Sequence, residues 1–175
     1  MSVATDAKIQ DIALSYIRKA VVGGCSKWPS TTIGDLHSSL ASRLPLEDGE
    51  LILASAFFSS ESWYAFTTRR VVSQFGGKLH SIDPSHGIRE RFENFKGFGS
   101  VRGKYVLTEV GTVPREIATI TAAESEAIVR FEFETGAASM IPIYAARYWV
   151  VKHRAIDNLM TTAERESYKD RQKLN

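Results

Sequence analysis

Hydrophobic residues at the start of the 175-residue chain recur with the period of an α-helix. Within residues 5–22 they lie three and four positions apart, which predicts an amphipathic helix that ends at two consecutive glycines. A second, shorter helix is predicted from the spacing of Ile33, Leu36 and Leu40, which would share one side of it. Residues 1–47 are therefore expected to form an N-terminal extension of two helices.

From residue 50 onward the period changes to two, which is typical of β-strands. In the last of the predicted strands apolar and polar residues alternate cleanly, as in an antiparallel sheet with one face in water. Ile88, Phe92 and Phe95 fit either a helix or a bulged strand, and a long helix is predicted from Pro142. The predicted strands are Glu50–Phe58, Trp63–Phe66, Val71–Phe75, Lys78–Ile82, Tyr105–Val110, Glu116–Thr121 and Ala127–Glu134.

Strands that follow one another without helical crossovers indicate an antiparallel meander. The predicted fold class is α+β, with a bent antiparallel sheet or roll of about seven strands capped by a C-terminal helix. Residues 48–175 would form this roll, and the two N-terminal helices would precede it.

The composition, 43% hydrophobic and 24% charged, is that of an ordinary globular protein. The chain contains no apolar run of the roughly 18 to 20 residues that a membrane span needs, and no secretory signal is recognisable. Cys25 is the single cysteine, so an intramolecular disulfide is excluded. These features lead us to expect a cytoplasmic protein without a transmembrane segment.

The charge is unevenly distributed, although the net charge is only +2. Residues 69–104 contain eight Lys and Arg against three Asp and Glu, whereas residues 105–146 contain two against six. This segregation has two interpretations: a polar surface that attracts a charged partner, or neighbouring strands that complement each other. Nucleic acid is not expected as a partner, because the net charge is low and no nucleic-acid-binding motif is present.

The basic segment supplies candidate binding residues, because guanidinium groups bind carboxylates and phosphates with two parallel hydrogen bonds. The alternative for the adjacent Arg69 and Arg70 is a structural role in the turn that contains them. The candidate binding residues are Arg69, Arg70, Arg89, Arg91, Lys96, Arg102 and Lys104, with Glu132 from the acidic segment.

Three other groups of residues contain the residue types of a metal, cysteine-nucleophile or phosphate-binding site, but without the spacing or surroundings that such sites need. His80, Asp83 and His86 are possible ligands for a divalent metal, or else solvated residues of a turn. Cys25 follows a helix C-terminus, where a thiolate is not stabilised, and packing is the preferred interpretation. The glycine-rich residues 97–104 lack the following helix of a phosphate-binding loop. The sequence therefore predicts no catalytic set, no metal site and no cofactor.

The middle of the chain resembles a bacterial pleckstrin-homology or GRAM-like domain. The resemblance rests on Asp48-Gly49-Glu50 at the start of a strand and on Trp63–Val72, an apolar strand that ends in threonines and two arginines. It implies a seven-stranded bent antiparallel sheet closed by one helix, over residues 48–160, with Trp149 in that helix. Such domains bind lipids, peptides and proteins, so the resemblance implies binding and not catalysis.

The sequence thus favours a non-catalytic module that binds another protein. An immunity-type protein, which neutralises a toxin by binding it, is one hypothesis of this kind, and Trp28 and Trp63 are expected to be exposable aromatic residues for such a contact. Binding of anionic lipid headgroups through the basic loops is the first alternative. A divalent-metal-dependent enzyme that uses His80, Asp83 and His86 is the second. The oligomeric state and the identity of the partner are not predicted.

Overall fold

The computed structural model describes residues 5–21, 28, 30–96 and 114–152. Two α-helices, eight strands, two 3₁₀ turns and a π-helical turn are present in these ranges, which confirms the α+β class. In chain order they are α1 (Asp6–Ala20), β1 (Thr31–Ile33), a 3₁₀ turn (Ser38–Leu40), β2 (Ile52–Ser59), β3 (Ser62–Thr67), β4 (Val71–Phe75), β5 (Lys78–Ile82), β6 (Ile88–Phe92), β7 (Arg115–Ala122), β8 (Ile128–Glu134), a 3₁₀ turn (Gly136–Ser139), α2 (Met140–Arg147) and a π-helical turn (Tyr148–Lys152).

The strands form two antiparallel sheets and not the single roll expected from the sequence. The larger sheet has the order β1-β2-β3-β4-β5 and the smaller has the order β6-β7-β8. The chain leaves the larger sheet after Ile82 through a turn in which the Gly87 amide donates to the Pro84 carbonyl at 2.9 Å. Because β6 then pairs forward with β7, with Ile88 opposite Ala122, β5 becomes the last strand of its sheet.

Strand β8 joins the two sheets by crossing the inner face of the larger one. At one end the Thr31 hydroxyl donates to a Glu134 carboxylate oxygen at 2.5 Å. Further along β8 the Ser73 hydroxyl donates to the Arg130 carbonyl at 2.6 Å. Between these points the Phe131 ring lies 4.6 Å from the Tyr64 ring, centroid to centroid. Aromatic packing and polar contacts along one strand therefore fix how the sheets are arranged.

The first predicted helix is confirmed as α1, which covers part of the same core. Its amphipathic pattern buries Ile9, Ala13 and Ile17, and the Thr5 hydroxyl caps the helix by accepting from the Lys8 amide at 3.4 Å. The Ile17 side chain is fully buried in the cluster that both sheets share. Consequently α1 is packed into the body of the protein.

The second predicted helix is wrong. Thr31, Thr32 and Ile33 form an edge strand in which Thr32 lies opposite Ser55, as β-branched residues favour. The next residue, Gly34, has a φ of +77°, a left-handed conformation that interrupts any helix. Leu40 is nevertheless fully buried, because the segment lies over the outer face of the larger sheet. The spacing of the apolar residues in this segment therefore reflects their packing on the larger sheet and not an apolar stripe along a helix.

The other strand predictions are confirmed to within about two residues at each end. Strand β2 is apolar on both faces because the main core lies on one side and a second cluster, which includes Leu40 and Trp63, lies on the other. Residues 88–92 adopt the strand alternative. The C-terminal helix begins two residues before Pro142, and no described helix is long and apolar enough to cross a membrane. The predicted strand Tyr105–Val110 lies outside the described residues.

Candidate binding surface

Arg70, one of the predicted binding residues, forms a buried ion pair. Its Nε lies 2.8 Å from Glu50 Oε1, and its Nη2 lies 2.9 Å from Glu50 Oε2. The Thr67 hydroxyl donates to the same carboxylate at 2.6 Å. The Glu50 side chain has no exposed surface. Burial alone would raise the pKa of Glu50, but the hydrogen bonds from Arg70 and Thr67 outweigh it and hold the pKa below its usual range.

Arg69 forms a second set of ion pairs, which connect α1 to the turn between β3 and β4. Its Nη2 lies 2.9 Å from Asp6 Oδ2, and its Nη1 lies 3.0 Å from Glu47 Oε2. The Thr68 hydroxyl also donates to the Asp6 carboxylate. Hydrogen bonding to Arg69 is the main cause that lowers the pKa of Asp6. A lipid headgroup at this turn would have to displace these carboxylates, so the geometry agrees with the structural interpretation of Arg69 and Arg70.

Arg89, Arg91 and Glu132 lie on the same side of the smaller sheet, opposite the side that contributes to the core. The register places Arg89 opposite Thr121 and Arg91 opposite Thr119. Alternate residues of each strand point the same way, and the intervening Ile88 and Ile120 belong to the core. We call this surface the outer face of β6–β8. Its residues are Arg89, Arg91, Arg115, Ile117, Thr119, Thr121, Ile128, Arg130 and Glu132.

The outer face combines exposed apolar groups with exposed cations. Ile128 is 50% exposed and Ile117 is 40% exposed. Arg89 and Arg130 are both exposed, and neither makes an ion pair with any described residue. The nearby carboxylate of Glu132 is already engaged, since Arg115 Nη1 lies 3.0 Å away. Among the described residues, the positive charge of the face is therefore not fully compensated.

The binding residues predicted from the sequence include Glu132 but not the charged and apolar residues of the face that accompany it, Arg115, Ile117, Ile128 and Arg130. The alternation in residues 127–134 indicates that Ile128 and Arg130 lie on the solvent face of the strand, but it does not indicate that a partner binds there. Ile117 follows the same rule on β7. Glu132 also accepts a hydrogen bond from the Ser62 hydroxyl. The pairing of distant strands brings these residues together, so the sequence alone does not locate the face.

The remaining predicted binding residues lie elsewhere. Lys96 is exposed beyond the end of β6, and Arg102 and Lys104 lie outside the described residues. The prediction that Trp63 is available for contact with a partner is wrong, because Trp63 is only 3% exposed and packs in the second core cluster. Trp28 is partly buried against the main core.

The histidines and carboxylate considered for a metal do not converge. His80 pairs with Ser73 across β4 and β5, whereas His86 Nδ1 lies 3.4 Å from Glu124 Oε1. Asp83 accepts from the Ser85 amide at 2.8 Å, which is the turn role that its position suggests. Within the described ranges, no three side chains of a metal-binding type lie close enough to share an ion.

Two carboxylates of β6 and β8 lie in poorly solvated surroundings. Burial raises the pKa of Glu134, which is 6% exposed and accepts the hydrogen bond from Thr31. Burial also raises the pKa of Glu90, whose Oε1 lies 3.4 Å from Arg147 Nε. A carboxyl with a raised pKa is a feature of catalytic acids, but the contacts of Glu134 and Glu90 are with the protein's own strands and helix. We interpret both as structural.

No family model, no curated protein and no solved structure matches this chain. The resemblance to pleckstrin-homology and GRAM-like domains therefore rests on the residues Asp48–Glu50 and Trp63–Val72. The outer face of β6–β8 is the feature of the described residues whose chemistry bears on function.

Proposed function

We propose that the protein is a non-catalytic protein-binding module that captures an acidic partner through the outer face of β6–β8. The observation that carries the proposal is the exposure of Ile117 and Ile128 beside Arg89 and Arg130, two cations without a carboxylate partner in the described residues. Exposed apolar side chains next to unpaired guanidinium groups have no evident role in folding. A partner surface with apolar and acidic groups would bury the isoleucines and pair with the guanidinium groups.

The composition of the face supports a protein as the partner. It contains four arginines and no lysine, and arginine is enriched at protein interfaces whereas lysine is depleted. The side chains project from three hydrogen-bonded strands, so little conformational entropy is lost when the backbone meets a partner.

We retain the resemblance to pleckstrin-homology domains as part of the proposal. Within the described part of residues 48–160, strands β2 to β5 belong to one sheet and β6 to β8 to the other, and α2 follows. The resemblance implies one bent sheet of seven strands, whereas these strands are divided between two sheets. Strand β1 and helix α1 precede residue 48 and have no counterpart in the fold that the resemblance implies. Domains of this kind bind by their surfaces, which fits a function without catalysis.

An immunity-type role, in which the captured partner is a toxin, is our specific hypothesis within this class. An acidic catalytic cleft would complement the arginines of the outer face. Headgroup binding at Arg69 and Arg70 is less favoured, because both guanidinium groups already hold carboxylates. The metal-dependent alternative is less favoured because His80 and His86 contact different parts of the fold.

Co-purification from the native cell tests the proposal. A tagged wild-type chain is compared with the double variant Ile117→Ser/Ile128→Ser and with the control Leu79→Ser, which removes a 64% exposed leucine from β5. We expect one protein to co-purify stoichiometrically with the wild type and the control and to be lost with the double variant. Recovery of the wild type without a protein partner, or equal capture by all three chains, would contradict the proposal.

A further inference from the structure

We infer that Arg91, Thr119 and Arg130 form a clamp for a carboxylate group of the partner. The inference rests on the proposed function and names the chemical group that the outer face of β6–β8 recognises. Arg91 lies directly opposite Thr119 on β6 and β7, and Thr119 lies directly opposite Arg130 on β7 and β8. The three residues thus form one row across the sheet, with a hydroxyl between two guanidinium groups.

The spacing of the row suits a small anion. Neighbouring strands lie about 4.8 Å apart, so the two arginines start roughly 10 Å from each other. Each arginine is only one strand from Thr119, a distance over which cross-strand side chains interact, so both guanidinium groups can turn inward above Thr119. Each guanidinium can donate two parallel hydrogen bonds to a carboxylate, and the threonine hydroxyl can donate a further one.

The row lacks a sufficient counter-ion of its own. Arg91 Nη2 lies 3.1 Å from Glu93 Oε1, but the Arg91 side chain is 78% exposed, and exposed pairs of this kind contribute little. Arg130 has no ion pair with any described residue, and Arg89 adds a third cation one row away. Glu132, two residues along β8 from Arg130, instead contacts Arg115 at 3.0 Å and accepts from the Ser62 hydroxyl. Like charges on one face repel, and an incoming carboxylate would relieve this repulsion.

The chemistry of the face favours a carboxylate over a phosphate. Phosphate sites commonly use converging backbone N–H groups at a loop or helix N-terminus. Strand β7 is the central strand, so its backbone groups are paired with β6 and β8 on both sides. Only side chains therefore project from Thr119 and its neighbours. Ile117 and Ile128 on either side of the row fit a carboxylate that belongs to a protein surface and not to a free ion.

Nuclear magnetic resonance titration of the full chain tests the clamp without knowledge of the partner. The probes are a hexaglutamate peptide, inorganic phosphate and vesicles with phosphatidylserine, at matched ionic strength. We expect saturable shifts of the Arg91 and Arg130 side-chain N–H signals with hexaglutamate. Arg130→Gln should weaken this binding about tenfold or more, since a hydrogen bond to a charged group is lost, and Thr119→Val should weaken it severalfold. Arg43→Gln, an exposed arginine outside the face, is the control.

Several results would overturn the clamp. Equal binding of hexaglutamate by Arg130→Gln and Arg43→Gln would show non-specific attraction. Tighter binding of phosphate or vesicles than of hexaglutamate at the same row would show a different ligand. Capture of a protein partner that is lost in Ile117→Ser/Ile128→Ser but unchanged in Arg130→Gln and Thr119→Val would refute the clamp and leave the proposed function intact. Specific binding of hexaglutamate without any co-purifying protein would refute the proposed function and retain the clamp.

Discussion

Replacement of Arg70 by alanine should destabilise the fold strongly, because it leaves the Glu50 carboxylate buried without its cation. The two side chains are joined by contacts of 2.8 and 2.9 Å, and the Glu50 side chain has no exposed surface. Removing one partner of a buried pair costs about 3–5 kcal/mol. Arg70 is itself partly exposed and Thr67 still donates to the carboxylate, so we expect the lower end, about 3 kcal/mol. For a chain of this size that corresponds to a fall in Tm of roughly 6–12 °C.

Urea unfolding of Arg70→Ala, Arg89→Ala and Glu50→Gln/Arg70→Met measures the effect. Arg89 is exposed and unpaired in the described structure, so its change should stay within about 0.5 kcal/mol. The double variant replaces the pair without leaving a buried charge and should recover most of the loss. If Arg70→Ala and Arg89→Ala unfold at the same urea concentration, Arg70 does not stabilise the fold, and the β3–β4 turn is again a candidate binding site.

The pair also fixes the sign of one pH dependence. The pKa of Glu50 is lowered in the folded state, so its contribution is fully present above the pKa of the unfolded chain, about 4.3. The contribution is lost as the pH falls through the lower, folded pKa. Wild-type stability should therefore decrease below about pH 4, and Glu50→Gln/Arg70→Met should show a smaller decrease in parallel urea titrations.

Three further changes test other parts of the fold. The pKa of Glu134 is raised in the folded state, so ionisation of this carboxyl destabilises the fold as the pH rises above about 4.3. Glu134→Gln should therefore stabilise the protein at pH 7 and reduce the fall in stability between pH 4 and pH 7. Urea unfolding at pH 4, 5.5 and 7 measures both effects. Leu40→Ala should cost about 2–5 kcal/mol, since Leu40 is fully buried under the larger sheet, and thermal unfolding would show a cost below 1 kcal/mol if that cover were loose. Gly77→Ala should cost about 1 kcal/mol through its φ of +75° alone, as no heavy atom lies within 4 Å of the added Cβ; an unchanged Tm would contradict the turn geometry.

The sequence predicts the strands well because each carries its burial pattern locally. Val71–Phe75 and Lys78–Ile82 are found at the predicted bounds, and their hairpin is closed by Gly76 and Gly77, which both have positive φ. The division into two sheets is not encoded locally. It depends on the pairing of Ile88 with Ala122. These residues are distant in the chain, whereas hydrophobic periodicity describes only residues that are close in the chain.

The candidate site shows the same limit. Two adjacent arginines attract attention in the sequence, yet Arg69 binds Asp6, which lies 63 positions away in the chain. A basic side chain is free for a partner only if no distant carboxylate reaches it, and only the folded chain shows that. The alternation around Arg130 was visible, but its nearness to Arg91 depends on β7 lying between them.

We propose that the outer face of β6–β8 captures a protein partner. The most direct measurement is the amount of partner recovered from native cells per molecule of tagged chain, for Arg89→Ala/Arg130→Ala and for the control Arg43→Ala, each relative to the wild type. We predict at least a tenfold loss for the double variant and no loss for the control, because charge-assisted hydrogen bonds in the interface are removed only in the former. Equal recovery of the partner by both variants would contradict the account.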